Sequence, residues 1–148
     1  MLKKYRLGFD VWGLVLFLVS MIPTFVWLAF PAPNDVLRTA SSSPVADAIG
    51  MVLQVLFVAT LCCVVRKEQR RCTAAPLAVS IVCMVLYFAG WLFYYLGYTT
   101  PAVILLLTVP PCLAFIFYAI ARRNMVALIP AVGFTLCHLI YGFVNFIL

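Results

Sequence analysis

Residues 76–98 read PLAVSIVCMVLYFAGWLFYYLGY and contain no charged side chain. At about 1.5 Å per residue, a helix of this length crosses the roughly 30 Å hydrocarbon layer of a membrane. Its polar or small residues recur every three or four positions and so share one helical face: Ser80, Cys83, Tyr87, Gly90, Tyr94 and Tyr98. Such a stripe on an apolar helix is typical of a membrane span that faces other helices. We expect the remaining spans to pack around it.

Composition assigns the whole chain to the membrane class. Of its 148 residues, 67% are hydrophobic and 9% are charged, whereas soluble domains carry about 25% charged residues. A soluble fold of this length has too little interior for so much apolar surface, so lipid must be the solvent for part of it. The length favours one transmembrane domain covering residues 1–148.

Five apolar segments are separated by short polar or charged turns. We predict an all-α integral membrane protein whose five transmembrane helices form one up-down bundle. The predicted spans cover about residues 11–30, 44–65, 76–97, 101–121 and 125–147. A signal peptide is the rival interpretation of the first span, but its apolar run of about 20 residues exceeds the about 7 to 15 of a signal-peptide core.

The basic residues predict orientation. The net charge is +6, and nine of the ten Lys and Arg residues fall on one side in the five-span arrangement: Lys3, Lys4, Arg6, Arg66, Lys67, Arg70, Arg71, Arg122 and Arg123. Arg38 alone falls on the other side. This is the positive-inside pattern rather than a nucleic-acid surface. It predicts a cytoplasmic N-terminus, an outside C-terminus and a multi-pass protein of the cell (inner or plasma) membrane, with a bacterial inner membrane favoured by compactness.

Local signals mark several helix ends. Ser43–Pro44 and Thr100–Pro101 are typical N-cap and first-turn pairs, and Asn124 can cap the fifth span. We predict that residues 34–38 form a solvated loop, with a gate or docking turn as the alternative. Asp10 is the single carboxylate at the inner end of the first span. We expect it to pair with a nearby or facing cation: Lys3, Lys4, Arg6, Arg122 or Arg123.

Polar side chains at membrane depth suggest a site. We hypothesise an outward-facing aromatic pocket between the spans, with these candidate ligand contacts: Thr24, Gln54, Tyr87, Trp91, Tyr94, Tyr98, His138 and Asn145. Pro23, Pro110 and Pro111 would expose backbone carbonyls there, as broken helices do in substrate sites. The alternative is that these polar groups simply hydrogen-bond helix to helix.

Catalytic signatures are absent from the sequence. It contains no HExxH, GxSxG, Walker or dinucleotide motif, and its cysteines lack metal-ligand spacing. We therefore predict no catalytic residue, no metal and no cofactor. The leading hypothesis is a protein that binds or transports a small apolar or amphipathic molecule. The alternatives are an accessory or assembly subunit of a membrane complex without a ligand site, and a motif-free membrane enzyme acting on lipid.

Membrane lipids are the predicted partners, nucleic acid is excluded, and a small hydrophobic ligand, a protein partner or a homo-oligomer are left open. In helix number and length the chain is similar to the tryptophan-rich sensory (translocator) proteins. That resemblance is one of helix count, which no motif accompanies.

Overall fold

Five helices and a two-stranded ribbon make up the computed structural model, which describes residues 4–38, 44–67 and 72–146. The helices are α1 (Val11–Ala29), α2 (Pro44–Cys63), α3 (Ala74–Tyr95), α4 (Pro101–Ala121) and α5 (Met125–Phe146). The strands are β1 (Tyr5–Leu7) and β2 (Val64–Arg66), and a single 3₁₀ turn covers Val36–Arg38. The predictions that involve Lys3, Ser43, Arg70 and Arg71 concern residues outside the described ranges.

The predicted all-α class is confirmed for the bulk of the chain. Four helices, α1, α3, α4 and α5, are long and apolar enough to cross a membrane. The apolar part of α2, Asp47–Cys63, is shorter than the other four. This set of helices indicates a multi-pass membrane protein.

The ribbon is the element that the sequence did not predict. Residues 64 and 65 were expected to finish the second span, but α2 ends at Cys63 and β2 pairs antiparallel with β1, with Tyr5 opposite Arg66. Two adjacent β-branched valines, Val64 and Val65, favour this extended backbone. Gly8 permits the close approach, because a Cβ there would lie 2.5 Å from Val65 Cγ2.

The centre of the bundle is α4, not α3. α3 packs along α4, α4 along α5 and α5 along α2, whereas α1 touches α2 and α3 only sparsely. More of α4 is buried than of the other three long apolar helices. Its inaccessible Ala114 and Ala119 let neighbouring backbones approach it closely. The expectation that residues 76–98 form the centre is therefore wrong.

The stripe predicted on the third span does face other helices. Ser80, Cys83, Tyr87, Gly90 and Tyr94 are buried. Tyr98 is the exception at 56% exposure, because α3 has already ended at Tyr95 and the chain turns at Gly97, whose φ is +91°. The helical face therefore stops one turn before the last residue assigned to it.

Polar contacts fasten the end of the bundle that carries β1 and β2, which we call the ribbon end. Asp10 caps α1 by accepting from the Gly13 amide at 3.3 Å. Its carboxylate also accepts from Arg122 Nε at 2.7 Å and from Tyr118 Oη at 3.1 Å. Of the cations expected to pair with Asp10, the structure selects Arg122, on the turn that follows α4.

The caps that start α4 and α5 lie where the sequence predicts them. Asn124 accepts from the Ala127 amide at 3.1 Å and so caps α5, while its amide nitrogen donates to the carbonyls of Thr60 and Val64 at 3.0 and 2.8 Å. Thr100 is the N-cap residue of α4 with Pro101 following it, although its side chain makes no capping hydrogen bond. Asn124 thus ties α5 to the end of α2.

Candidate functional site

A cavity of about 340 Å³ lies inside the bundle, and all five helices contribute to its wall. It extends from mid-bundle, at Gln54, Thr108 and His138, toward the end opposite the ribbon, where Trp27 and Leu37 border it. We call that end the loop end, since residues 30–38 cross it. The volume falls in the range of about 300–1,000 Å³ that is typical of small-molecule sites.

Five of the eight candidate residues line this cavity: Thr24, Gln54, Tyr87, Trp91 and His138. The other three lie elsewhere. Tyr94 is fully buried and its hydroxyl is directed at the loop end. Tyr98 lies beyond α3 with its ring against Phe93, and Asn145 donates to the Tyr141 carbonyl of its own helix at 2.8 Å.

Several hydroxyl groups in the cavity wall are already satisfied. Ser20 Oγ donates to the Phe17 carbonyl at 2.7 Å, and Thr108 Oγ1 donates to the Ile104 carbonyl at 2.9 Å, each within its own helix. Tyr87 Oη donates across to the Ser20 carbonyl at 3.1 Å and so joins α3 to α1. These contacts agree with the alternative in which the polar groups only hydrogen-bond helix to helix or within a helix. Ser20 and Thr108 bond within their own helices, and Tyr87 bonds between two helices.

Trp91 is different, because its buried indole N–H makes no well-formed hydrogen bond in the described part of the chain. The Tyr87 hydroxyl lies near enough to interact with it, but the contact does not have hydrogen-bond geometry. The side chain is 8% exposed and lies among the rings of Tyr87, Trp27 and Tyr94, with centroids 6.3, 6.4 and 5.7 Å away. An unsatisfied buried donor costs about 1–3 kcal/mol. A hydrogen-bond acceptor inside the cavity would remove that penalty.

Gln54 and His138 also face the cavity without a hydrogen bond to a described residue, and both are partly exposed. The His138 ring stacks on Phe134 with centroids 5.2 Å apart and planes at 19°. Gln54 and His138 also border a second cavity of about 220 Å³, which reaches Asp47 between α2 and α5. His138 therefore stands between the central cavity and a side opening.

Only one of the three prolines expected to expose carbonyls in the pocket borders the cavity. Pro111 borders the cavity, whereas Pro23 and Pro110 lie inside helices but do not border it. The described contacts thus give no support to a ring of freed carbonyls.

The loop end is closed by a hydrogen-bonded cluster around Asp35, which sequence reasoning treated as part of a solvated loop. Asp35 accepts from Trp27 Nε1 at 2.9 and 3.0 Å, from Tyr94 Oη at 2.8 Å and from Arg38 Nε at 2.7 Å. Its side chain is 11% exposed. Burial raises the pKa of the Asp35 carboxyl, but the three donors and the Arg38 charge outweigh burial and lower that pKa below 3.8.

This Asp35 cluster holds Leu37 over the cavity. The Leu37 amide donates to Tyr94 Oη at 3.2 Å, and Arg38 donates to the Trp27 carbonyl at 2.8 Å while lying over the Trp27 ring. The sequence signal for the Asp35 cluster was the spacing of Asp35 and Arg38, because an acid and a base three residues apart can pair within a turn. Nothing in the sequence linked that pair to Tyr94.

Comparison of the chain with protein-family models, with curated proteins and with solved structures gives no match. In the described ranges, no group of three or more His, Cys, Asp or Glu side chains could hold a metal ion.

Proposed function

We propose that the protein binds a small, uncharged, largely apolar molecule that carries one hydrogen-bond acceptor, in the central cavity. The observation that carries this proposal is the buried Trp91 N–H, which borders the cavity and makes no well-formed hydrogen bond to a described residue, although the Tyr87 hydroxyl lies near it. The cavity of about 340 Å³ is more than twice the roughly 150 Å³ cavity that takes up benzene. It therefore has room for a molecule larger than a single ring.

The cavity wall supports an uncharged ligand. Aromatic and leucine side chains supply most of its surface, and the described lining contains no Asp, Glu, Lys or Arg. Transfer of an ion into such a wall without a counter-charge is strongly unfavourable. A few converging polar groups in an apolar wall, here Trp91, Gln54 and His138, are typical of ligand sites, in which they fix orientation.

We further propose that the protein transports this molecule across the membrane. The molecule would enter either under residues 30–38 at the loop end or between α2 and α5, where the second cavity meets Gln54 and His138. Entry from the loop end would require opening of the Asp35 cluster. Entry between helices would admit the molecule directly from lipid.

The proposed membrane arrangement has five spans, with the N-terminus cytoplasmic and the C-terminus outside, in the cell (inner or plasma) membrane. In its favour, α2 packs along α5 and borders the same cavity as the four longer apolar helices. Six of the described basic residues belong to the ribbon end: Lys4, Arg6, Arg66, Lys67, Arg122 and Arg123. Reporter fusions at both termini test the arrangement, and activity of both reporters on one side would contradict it.

The test of ligand binding compares quinoline with naphthalene, two probes of nearly equal shape of which only quinoline carries an acceptor. The detergent-purified full chain is titrated with each, and partitioning into empty micelles is subtracted. A net hydrogen bond contributes about 1 kcal/mol, so quinoline should bind about fivefold more tightly. Trp91→Phe should abolish this preference while leaving naphthalene binding unchanged.

The matched control is Trp12→Phe, since Trp12 is 70% exposed and does not border the cavity. It should preserve the preference for quinoline. His138→Ala should weaken binding of both probes by removing part of the wall. Absence of binding by both probes, or probe binding that His138→Ala leaves unchanged, would refute the proposal and favour the accessory-subunit or lipid-enzyme alternatives.

A further inference from the structure

The second cavity, of about 220 Å³, lies between α2 and α5 and has a more polar wall than the central cavity. We call it the side pocket. Half of the eight residues that line it carry a polar side chain: Asp47, Gln54, His138 and Tyr141. The described lining thus contains one carboxylate and no lysine or arginine.

No described lysine or arginine balances the charge of Asp47. Arg38, the one described base outside the ribbon end, pairs with Asp35 at 2.7 Å and does not line the side pocket. Residues 39–43, which connect Arg38 to α2, read TASSS and contain no base. Asp47 lies in the first turn of α2, where the helix dipole favours a negative charge. The side pocket therefore has a negative potential, which favours a cation.

The other polar groups of the side pocket can accept hydrogen bonds from an amine. The Gln54 amide oxygen and the Tyr141 hydroxyl are acceptors, and an uncharged His138 imidazole supplies one more. Phe134, whose ring stacks on His138 with centroids 5.2 Å apart, also borders the pocket. The faces of the Phe134 and Tyr141 rings attract a positive charge. A carboxylate, neutral acceptors and aromatic rings together are suited to an organic cation.

A metal ion fits the side pocket less well than an organic cation does. Asp47, Cys137 and His138 all border the pocket. Even so, no three His, Cys, Asp or Glu side chains in the described ranges are placed so that they could hold a metal ion. The volume of about 220 Å³ exceeds the roughly 150 Å³ cavity that takes up benzene. An amine that carries a single ring therefore has room in the side pocket.

We propose that the side pocket binds a protonated amine, carried either by a soluble organic molecule or by the headgroup of an aminophospholipid. The charged nitrogen pairs with the Asp47 carboxylate, because charge-assisted hydrogen bonds are stronger than neutral ones. α2 begins at Pro44, so Asp47 lies close to the loop end of the bundle, which a lipid headgroup can reach. This proposal does not depend on the ligand of the central cavity.

The test of amine binding titrates the detergent-purified full chain with benzylamine and benzyl alcohol. These two probes have nearly equal shape, and only benzylamine is charged at neutral pH; partitioning into empty micelles is subtracted for each. Asp47→Asn should weaken benzylamine binding about tenfold and change benzyl alcohol binding less than about twofold. The control Asp47→Glu keeps the charge and should retain most of the preference for benzylamine.

Thiol labelling locates the bound amine. Cys137 borders the side pocket but not the central cavity, whereas Cys63 is exposed at the ribbon end. Bound benzylamine should therefore slow the alkylation of Cys137 by N-ethylmaleimide and leave the alkylation of Cys63 unchanged. The protection of Cys137 should be lost in Asp47→Asn.

Two lipids distinguish the two sources of the amine. Native mass spectrometry compares phosphatidylethanolamine with phosphatidylcholine, whose quaternary nitrogen has no N–H donor. Preferential binding of phosphatidylethanolamine that Asp47→Asn abolishes supports a lipid headgroup, whereas binding of benzylamine without such a preference supports a soluble amine. Equal affinity for benzylamine and benzyl alcohol, equal losses of both in Asp47→Asn, or an amine that binds without protecting Cys137 would overturn the proposal. Absence of binding by both benzylamine and phosphatidylethanolamine would also overturn it.

Discussion

Replacement of Asp35 by asparagine should open the loop end of the bundle. The carboxylate accepts from Trp27, Tyr94 and Arg38 at 2.7 to 3.0 Å. Asparagine keeps one oxygen but presents an NH₂ group where the second oxygen was, so at least one of the three donors would face another donor. The substitution changes charge and hydrogen bonding at nearly constant volume.

The expected loss of stability follows from these contacts. Hydrogen bonds to a charged acceptor contribute about 1.5–3 kcal/mol and neutral ones about 1 kcal/mol, so the bonds from Trp27 and Tyr94 would together lose about 2 kcal/mol. The Arg38 side chain is 43% exposed, and an ion pair of that exposure adds about 0.5 kcal/mol. Asp35→Asn should therefore destabilise the fold by about 2–3 kcal/mol.

The same reasoning predicts a dependence on pH. Since the folded-state pKa of Asp35 is below 3.8, its stabilising contribution is complete above about pH 5 and is lost as the pH falls through the folded-state pKa. The difference in stability between the natural protein and Asp35→Asn should be constant from neutral pH to about pH 5. This difference in stability should shrink as the pH falls further and the Asp35 carboxyl becomes protonated.

Thermal unfolding in detergent, followed by tryptophan fluorescence, measures both effects. Trp27 reports directly, since its indole N–H binds the carboxylate. The control is Asp47→Asn, which removes the same charge near the same end from a side chain with no hydrogen bond to a described residue; it should change stability by less than about 0.5 kcal/mol. Equal effects of the two substitutions, or a difference in stability that grows instead of shrinking as the pH falls below 5, would refute the reasoning.

Two further predictions concern packing and the ribbon end. Gly90→Ala should destabilise the fold by about 1–3 kcal/mol, because the new Cβ would lie 2.9 Å from Leu106 Cβ. The control Gly50→Ala meets its nearest neighbour at an ordinary 3.5 Å and should stabilise the fold by about 0.5–1 kcal/mol. Thermal unfolding compares the two variants, and a neutral Gly90→Ala would contradict the packing. Asp10→Asn should destabilise by about 2 kcal/mol by breaking the partly buried pair with Arg122, and retention of the natural unfolding temperature would contradict that role.

Features set by neighbouring residues could be predicted from the sequence. Thr100–Pro101 and Asn124 were identified as helix starts because capping depends on two or three adjacent positions. The ribbon could not be predicted in this way. Its register joins Tyr5 to Arg66, and two valines at the end of an apolar run also fit a continuing helix.

The candidate site residues that could be predicted are likewise those whose position follows from helix length and local spacing. Thr24, Gln54 and His138 were chosen as polar side chains at mid-depth, and helices of known length bring mid-depth residues to one level. Tyr94 was assigned to the same group by helical spacing, but its hydroxyl binds Asp35. That partner lies in a loop whose conformation depends on tertiary contacts, which helical periodicity does not describe.

The sparse packing of α1 has a consequence for biosynthesis. Its firm attachments, Asp10 to Tyr118 and Arg122 at one end and Trp27 through Asp35 to Tyr94 at the other, join it to segments made much later. Before α3 and α4 are made, α1 can be held only by the β1–β2 pairing and the backbone bonds to Cys62 and Cys63 at one end and by the Trp27–Asp35 bond at the other. We expect α1, although it is made before α3 and α4, to be fixed in its final position only after those helices assemble.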